Sequence, residues 1–150
     1  MALLDTDVKP DWVDYNGHMN DAEYARVFSL AVDTLMERIG LDEAGRHRHG
    51  YTLYTLETHL RYLREAHQGQ PLQVEVTLVD RDAKRLHLWF ELHSGEQLLA
   101  TSEQMLMGID LDSGRPGPFP EAVDTAIAAL PVISSPAPEG LGRRIGIVRR

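Results

Sequence analysis

The chain has no cysteine among its 150 residues. Disulfides, cysteine-ligated zinc and thiolate catalysis are excluded together, and a reducing compartment suits the composition. No apolar run approaches the ~18 residues of a helical membrane span, and the opening MALLDTDVKP lacks the basic and apolar regions of a signal peptide. Positive charge is scarce: 15 Lys plus Arg stand against 23 Asp plus Glu, a net charge of −8. That argues against a nucleic-acid partner, because a phosphate backbone demands a basic face. GxSxG, HExxH, Walker and GxGxxG patterns are missing as well, which removes the usual support for serine hydrolases, zincins and nucleotide loops. What remains is 43% hydrophobic and 25% charged, an ordinary globular composition in the length of one domain. These bounds lead us to expect a soluble, cytoplasmic, single-domain protein with no membrane partner.

A short strand is expected over residues 4–8, ended by Pro10. PDWVDYNGHMND then carries turn chemistry. Asn20 or Asp21 can cap the helix that follows. Over 21–39 the apolar residues Tyr24, Val27, Phe28, Ala31, Leu35 and Ile39 recur at spacings of three and four, which predicts an amphipathic helix of about five turns with Gly40 as its C′ residue. LDEAGRHRHG reads as a polar connector with at most one helical turn. The period then changes to two. Even positions carry the apolar face in 51–63 (Tyr54, Leu56, Leu60, Tyr62), in 72–78 and in 85–93, while 97–111 is apolar on both faces in places. HQGQP, RDAK and SGE are short turn-rich connections, so consecutive strands should pair antiparallel. PEAVDTAIAAL has Pro120 at a permitted first-turn position. The fold class is α+β, one long helix lying on a curved antiparallel sheet. Residues 1–130 form the domain. Residues 131–150 are a Pro/Gly-rich tail ending basic with Arg143, Arg144, Arg149 and Arg150, expected to be solvated and frayed.

Six of the seven histidines, His47, His49, His59, His67, His87 and His93, fall on charged connectors, polar strand faces or turns, and no metal site is expected from them. DYNGHMND, residues 14–21, is different. It precedes the long helix, whose first N–H groups are unpaired and carry the positive end of the dipole. A carboxylate, an imidazole and free donors within eight residues can supply a base or nucleophile with oxyanion stabilisation, and Gly17 lets backbone approach a ligand or take positive φ. The same residues equally make an Asx-turn and a helix cap, for which Asp14, Asn16 and Asn20 all serve.

VDYNGHMNDAEYARVF resembles the D-x-x-G-H-[VM]-N-[ND]-x-x-Y signature of hotdog-fold acyl-CoA thioesterases of the 4-hydroxybenzoyl-CoA type. The element order matches that fold over about residues 3–111: a long central helix is wrapped by a curved antiparallel sheet. WVDYNGHMNDA, MERIGLD, TLETHLRYLREA, RDAKRLH and ATSEQML are further similar to a narrower group, the betainyl-CoA thioesterases of bacterial carnitine catabolism, found alone or fused to carnitine dehydrogenase.

The resemblance implies a catalytic Asp14 that attacks the thioester carbonyl or activates water, with oxyanion donors at the helix start near Asp21. His18 and Asn20 fall on motif positions that orient the loop, substrate or water, and Gly17 would lie against the substrate. Glu57 occupies a position the narrower group shares, although a surface or interface carboxylate is its other reading. A betainyl group is a permanent cation, which aromatic faces attract by about 0.5–2 kcal/mol per contact. Trp12 and Tyr15 flank the motif and Trp89 sits on a polar strand face, with Tyr51, Tyr54 and Tyr62 as further candidates; packing at an interface or core edge is the alternative for each. No cofactor is needed, coenzyme A being part of the substrate. A homodimer or dimer of dimers is implied, because family sites lie between subunits. A non-catalytic acyl-CoA-binding module on the same fold stands as the alternative, and a hotdog hydratase or dehydratase is disfavoured because its motif is not visible.

Overall fold

The computed structural model describes residues 1–149; Arg150, the last arginine of the tail, lies outside them. The helical periodicity becomes α1 (Asp21–Arg38), which buries Tyr24, Val27, Phe28, Ala31, Val32, Leu35 and Met36. Its end is a Schellman motif. Gly40 takes φ +89°, the Gly40 N–H donates to the Glu37 carbonyl at 3.2 Å, and the Leu41 N–H donates to the Met36 carbonyl at 2.7 Å. The connector after it is more ordered than its composition suggested. It forms α2 (Glu43–His49), capped by Asp42, whose Oδ1 accepts the Gly45 N–H at 2.7 Å, and ended by Gly50 at φ +58°. A methyl group on Gly45 would overlap the Gly40 carbonyl, so this glycine is what lets α2 fold back onto the end of α1.

Six strands form one antiparallel sheet: β1 (Ala2–Asp7), β2 (Tyr51–Tyr62), β3 (Pro71–Arg81), β4 (Arg85–Ser94), β5 (Gln97–Asp110) and the short β6 (Arg115–Pro116). The order is β1-β3-β4-β5-β2, with β6 beside β5. Consecutive pairing therefore holds for β3-β4-β5 and fails for β2 and β3. The HQGQP connection is no hairpin. Residues 66–70 instead bond to the loop before α1 and to Val8, carrying the chain from one sheet edge toward the other under the start of the helix. The inner face packs Val74, Val76, Leu86, Leu88, Phe90 and Leu92 beneath α1, with Phe28 edge-to-face on Phe90 at 6.3 Å. Short α3 (Glu121–Ala128) adds Val123 and Ile127 to the same core.

The face assignment for β2 needs correction. A bulge between Thr55 and Glu57 shifts the register, so the inward positions are Tyr51 and Leu53 before it, and Leu60 and Tyr62 after it. Tyr54 and Leu56 are 54% and 52% exposed on this edge strand. The tail is held rather than frayed over residues 131–142: residues 131–133 pair with the edge of β3, and the residues after them follow the outer face of the sheet. Val132 bridges Leu78 in parallel. Arg61 donates to the Glu139 carbonyl at 2.9 Å, and the Gly142 N–H donates to Glu103 Oε1 at 2.6 Å.

Candidate active site

The loop between the Pro10–Trp12 turn and α1 is a miniature hairpin. The Asn20 N–H donates to the Trp12 carbonyl at 2.9 Å, Val13 bridges Met19, and the Asp14 N–H donates to the His18 carbonyl at 2.9 Å. The Gly17 N–H closes the tip on the Asp14 carbonyl at 2.9 Å, which its φ of +78° permits. Asp14 governs this loop: its Oδ1 accepts the N–H groups of Asn16 at 2.9 Å and His18 at 3.1 Å. Among the described residues both side-chain hydrogen bonds fall on Oδ1, leaving Oδ2 for other work. Residues after β2 hold the loop from outside, with the Met19 N–H on the Ala66 carbonyl at 2.8 Å and the Gln68 N–H on the Gly17 carbonyl at 3.2 Å. The His18 ring stacks edge-on with His67 at 4.8 Å, and its Nδ1 lies 3.5 Å from Glu65 Oε2.

At the helix start, Asn20 holds the N-cap position without a side-chain cap, its carbonyl accepting the Glu23 N–H at 3.0 Å. Asp21 Oδ1 accepts the Ala22 N–H at 2.9 Å. Among the described residues the Asp21 N–H has no acceptor, which leaves one dipole-reinforced donor for an incoming oxyanion. A cleft of about 310 Å³ opens here between Met19, Asp21 and Tyr24 on one side and Tyr62, Leu63, Arg64 and Glu65 on the other. The Tyr62 hydroxyl donates to the Asp21 carbonyl at 3.3 Å, the Tyr24 hydroxyl donates to the Arg64 carbonyl at 3.1 Å, and the two rings meet edge-to-face at 5.2 Å. Burial pushes both phenols above their ordinary pKa, and the charge of Asp21 adds to the effect on Tyr62.

Asp14, Gly17, His18, Asn20 and Asp21 thus come together on one loop and helix start. The remaining candidates do not join them within the chain. Trp12 is packed in the core and Tyr15 is 96% exposed. Glu57 lies on the outer side of β2, lining a different depression with His59, His87, Glu103 and Arg143. Trp89 is 2% exposed on the outer face beside the tail, its indole N–H donating to Glu91 Oε2 at 2.8 Å. In the single chain these aromatics make no cage. Among the described residues no three His, Asp or Glu side chains converge as metal ligands, and no helix is long and apolar enough to cross a membrane.

Sequence reasoning passed over Arg64 and Glu65, which the sequence offers only as a charged run after a strand. It also passed over Ser102 and Gln104. These are polar residues at inward positions of β5, opposite Phe90 and Leu88, where alternation calls for apolar side chains; that mismatch was the available signal. They floor a separate groove of about 390 Å³ between α1 and β2.

The family model of the Thioesterase-like superfamily matches residues 8–127. The chain belongs to that superfamily. It is a hotdog-fold thioesterase. It is 46% identical to a betainyl-CoA thioesterase of Pseudomonas aeruginosa over 98% of this chain and 95% of that one. It is also 39% identical to an L-carnitine dehydrogenase/betainyl-CoA thioesterase of Rhizobium meliloti, covering 97% of this chain but 30% of that longer protein. Among solved structures, a Staphylococcus aureus protein characterised in complex with CoA superimposes with a TM-score of 0.90 at 36% identity, over 99% of this chain and 96% of that one. A 1,4-dihydroxy-2-naphthoyl-CoA thioesterase from Synechocystis shares the fold at 22% identity and a TM-score of 0.73, over 85% and 95% of the two chains.

Proposed function

We propose that this thioesterase hydrolyses small acyl-CoAs, with betainyl-CoA as its preferred substrate. The observation that carries the reading is the Asp14 carboxylate, held through one oxygen on a loop that leads directly into the open N-terminus of α1. Near full-length similarity to a betainyl-CoA thioesterase supports the acyl group, and the net charge of −8 favours a cationic acyl head.

The chemistry asks little of the protein. Asp14 Oδ2 takes a proton from water as the water oxygen bonds to the thioester carbon, or attacks that carbon itself to give an anhydride that water then opens. The carbonyl oxygen becomes an oxyanion and accepts from the Asp21 N–H, where the helix dipole stabilises it. The C–S bond then breaks, and coenzyme A departs as a thiolate that is protonated in solvent. His18 and Asn20 position the loop and the water, and Gly17 leaves room for the thioester. Coenzyme A enters and leaves as part of the substrate and product, with no separate cofactor.

A second copy of the chain completes the site in this reading. The cleft is open on one side, and edge strand β2 offers unpaired backbone with exposed Tyr54 and Leu56. We place the partner along β2 and assign Glu57 and the exposed Tyr15 substrate contacts in the assembled dimer, whereas Trp12 and Trp89 are buried within their own chain and make none. The cysteine-free composition is compatible with a reducing cytoplasm, the compartment we assign.

Thiol release from betainyl-, tert-butylacetyl-, acetyl-, benzoyl- and long-chain acyl-CoA, followed with a thiol-reactive dye, tests the proposal. The protein contributes no thiol of its own. Preference for betainyl-CoA over its uncharged tert-butylacetyl isostere, lost with Asp14→Asn, is the expected result. Turnover of other acyl groups in its place would discard the betainyl reading, and normal turnover by Asp14→Asn would remove Asp14 from the mechanism.

A further inference from the structure

The groove between α1 and β2, next to the cleft at the helix start, is lined by a residue with a buried polar atom that has no partner among the described residues. On the inner sheet face β4 presents only Leu86, Leu88, Phe90 and Leu92, yet β5 sets Ser102 and Gln104 opposite Phe90 and Leu88. Gln104 is 4% exposed. Its Nε2 donates to Ser102 Oγ at 3.0 Å, and its Oε1 has no hydrogen-bond partner among the described residues. An unpaired amide oxygen in a buried position weakens the fold, and an aliphatic side chain of similar size would remove that weakness. Packing does not explain the residue. A ligand in the groove that Gln104 lines, toward which the amide turns its oxygen, does.

The surroundings define the ligand's chemistry. Phe28, Val32 and Met36 of α1 and Leu53 and Leu60 of β2 wall the groove, Asp33 lines it too, and among the described residues no Lys or Arg does. Apolar walls, an unpaired carbonyl oxygen and a carboxylate suit a head group that is bulky, apolar on its outside and positively charged. A quaternary ammonium is such a group. It has no N–H to direct at a single acceptor, so it is stabilised by dipoles and charges around its methyl surface, and in a water-poor groove it requires them. The groove also lies beside the cleft at the helix start. Tyr24 and Tyr62 line the cleft at the helix start, while Ala25 and Leu60 line the groove next to it along the same helix and strand.

We infer that this groove receives the acyl group and that the Gln104 side-chain oxygen is a specificity determinant for its cationic head. The inference rests on the reading that the substrate is betainyl-CoA and names the residue that selects it. Gln104 takes no part in bond making or breaking. It discriminates between a charged acyl group and an uncharged one of the same shape.

The test is the ratio of kcat/KM for betainyl-CoA to that for tert-butylacetyl-CoA, measured for wild type, Gln104→Leu, Gln104→Met and Gln104→Glu, with the Tm of each. The wild-type ratio tests the substrate reading and the change between variants tests the inference. The expected result is a ratio lowered about tenfold in Gln104→Leu and Gln104→Met, as for the loss of one polar contact to a charged group. Tm should be unchanged or raised in both, and Gln104→Glu should retain the preference. A purely structural role would lower Tm and leave the ratio alone. If wild type prefers betainyl-CoA and either folded aliphatic variant keeps that preference, the inference is overturned while the substrate reading stands. If wild type shows no preference, the substrate reading fails and the inference fails with it.

Discussion

Asp14 and His18 are joined twice: the Asp14 N–H donates to the His18 carbonyl at 2.9 Å, and Asp14 Oδ1 accepts the His18 N–H at 3.1 Å. The residue proposed as base is therefore also the residue that shapes its own loop. Two substitutions separate these duties. Asp14→Asn keeps a side-chain oxygen for the turn and removes the charge, so kcat should fall about 10²–10⁴-fold, the usual worth of a positioned base, with Tm nearly unchanged. Asp14→Ala should lose the same activity and a further ~1–2 kcal/mol of stability, because two N–H groups lose their acceptor. Thiol-release kinetics beside thermal melts read both.

Tyr51 and Gly108 form a second close relationship, at the far end of the sheet. The buried Tyr51 hydroxyl donates to the Gly117 carbonyl at 2.6 Å, and a methyl group added to Gly108 would overlap the phenol. Gly108→Ala should destabilise by about 1–3 kcal/mol through overpacking. Adding Tyr51→Leu should recover part of that loss, giving a double-mutant cycle with favourable coupling in urea titrations.

The same tyrosine makes stability depend on pH in the alkaline range. Burial pushes the Tyr51 phenol from 10.0 up to about 12, so the folded state holds a proton that the unfolded chain releases. The contribution is fully present below pH 10 and is lost as pH rises from about 10 to 12. Tyr24 and Tyr62, also raised by burial, act in the same direction. Melts recorded from pH 8 to 11.5 should show Tm falling above pH 10, and Tyr51→Phe should show a shallower fall.

The long helix and the turn of the loop before it were legible because each rests on local signals. The three-and-four spacing from Tyr24 to Ile39 and Gly40 at the end specify α1 without tertiary information, and DYNGHMND announces its turn through its own residue types. What escaped depends on contacts distant in sequence. The bulge at Leu56 is set by pairing with β5 and reverses the faces of half a strand. The failure of β2 to pair with β3 goes with residues 66–70 bonding back to the loop before α1 and to Val8. The polar floor of the groove stood in plain view as Ser102 and Gln104, but its position beneath α1 becomes visible only once the strands are in register.

The tail supplies a prediction because it covers an indole. Trp89 is 2% exposed, and Val132, Ile133 and Pro136 lie with it around one small depression of the outer face. Truncation after Leu130 should expose Trp89 and cost about 2–3 kcal/mol of burial. In a Trp12→Phe background Trp89 is the sole indole of the chain, so its emission should shift to the red and become open to acrylamide quenching. Glu103→Ala, which removes the carboxylate holding the Gly142 N–H, should reproduce part of the shift.

The edge strand carries the last prediction. Among the described residues β2 has β5 on one side and no strand on the other, and Tyr54 and Leu56 present exposed apolar surface there. A charge at an edge position opposes strand-to-strand association and leaves the chain's own core untouched. Leu56→Lys should therefore keep the fold of one chain by circular dichroism. Analytical ultracentrifugation should show it shifted from dimer to monomer. If the partner completes the site, activity should fall with the dimer and return as protein concentration is raised, whereas Asp14→Asn should remain inactive at every concentration. A monomeric variant with full activity would show that one chain carries the whole site and would end the role assigned to the second copy.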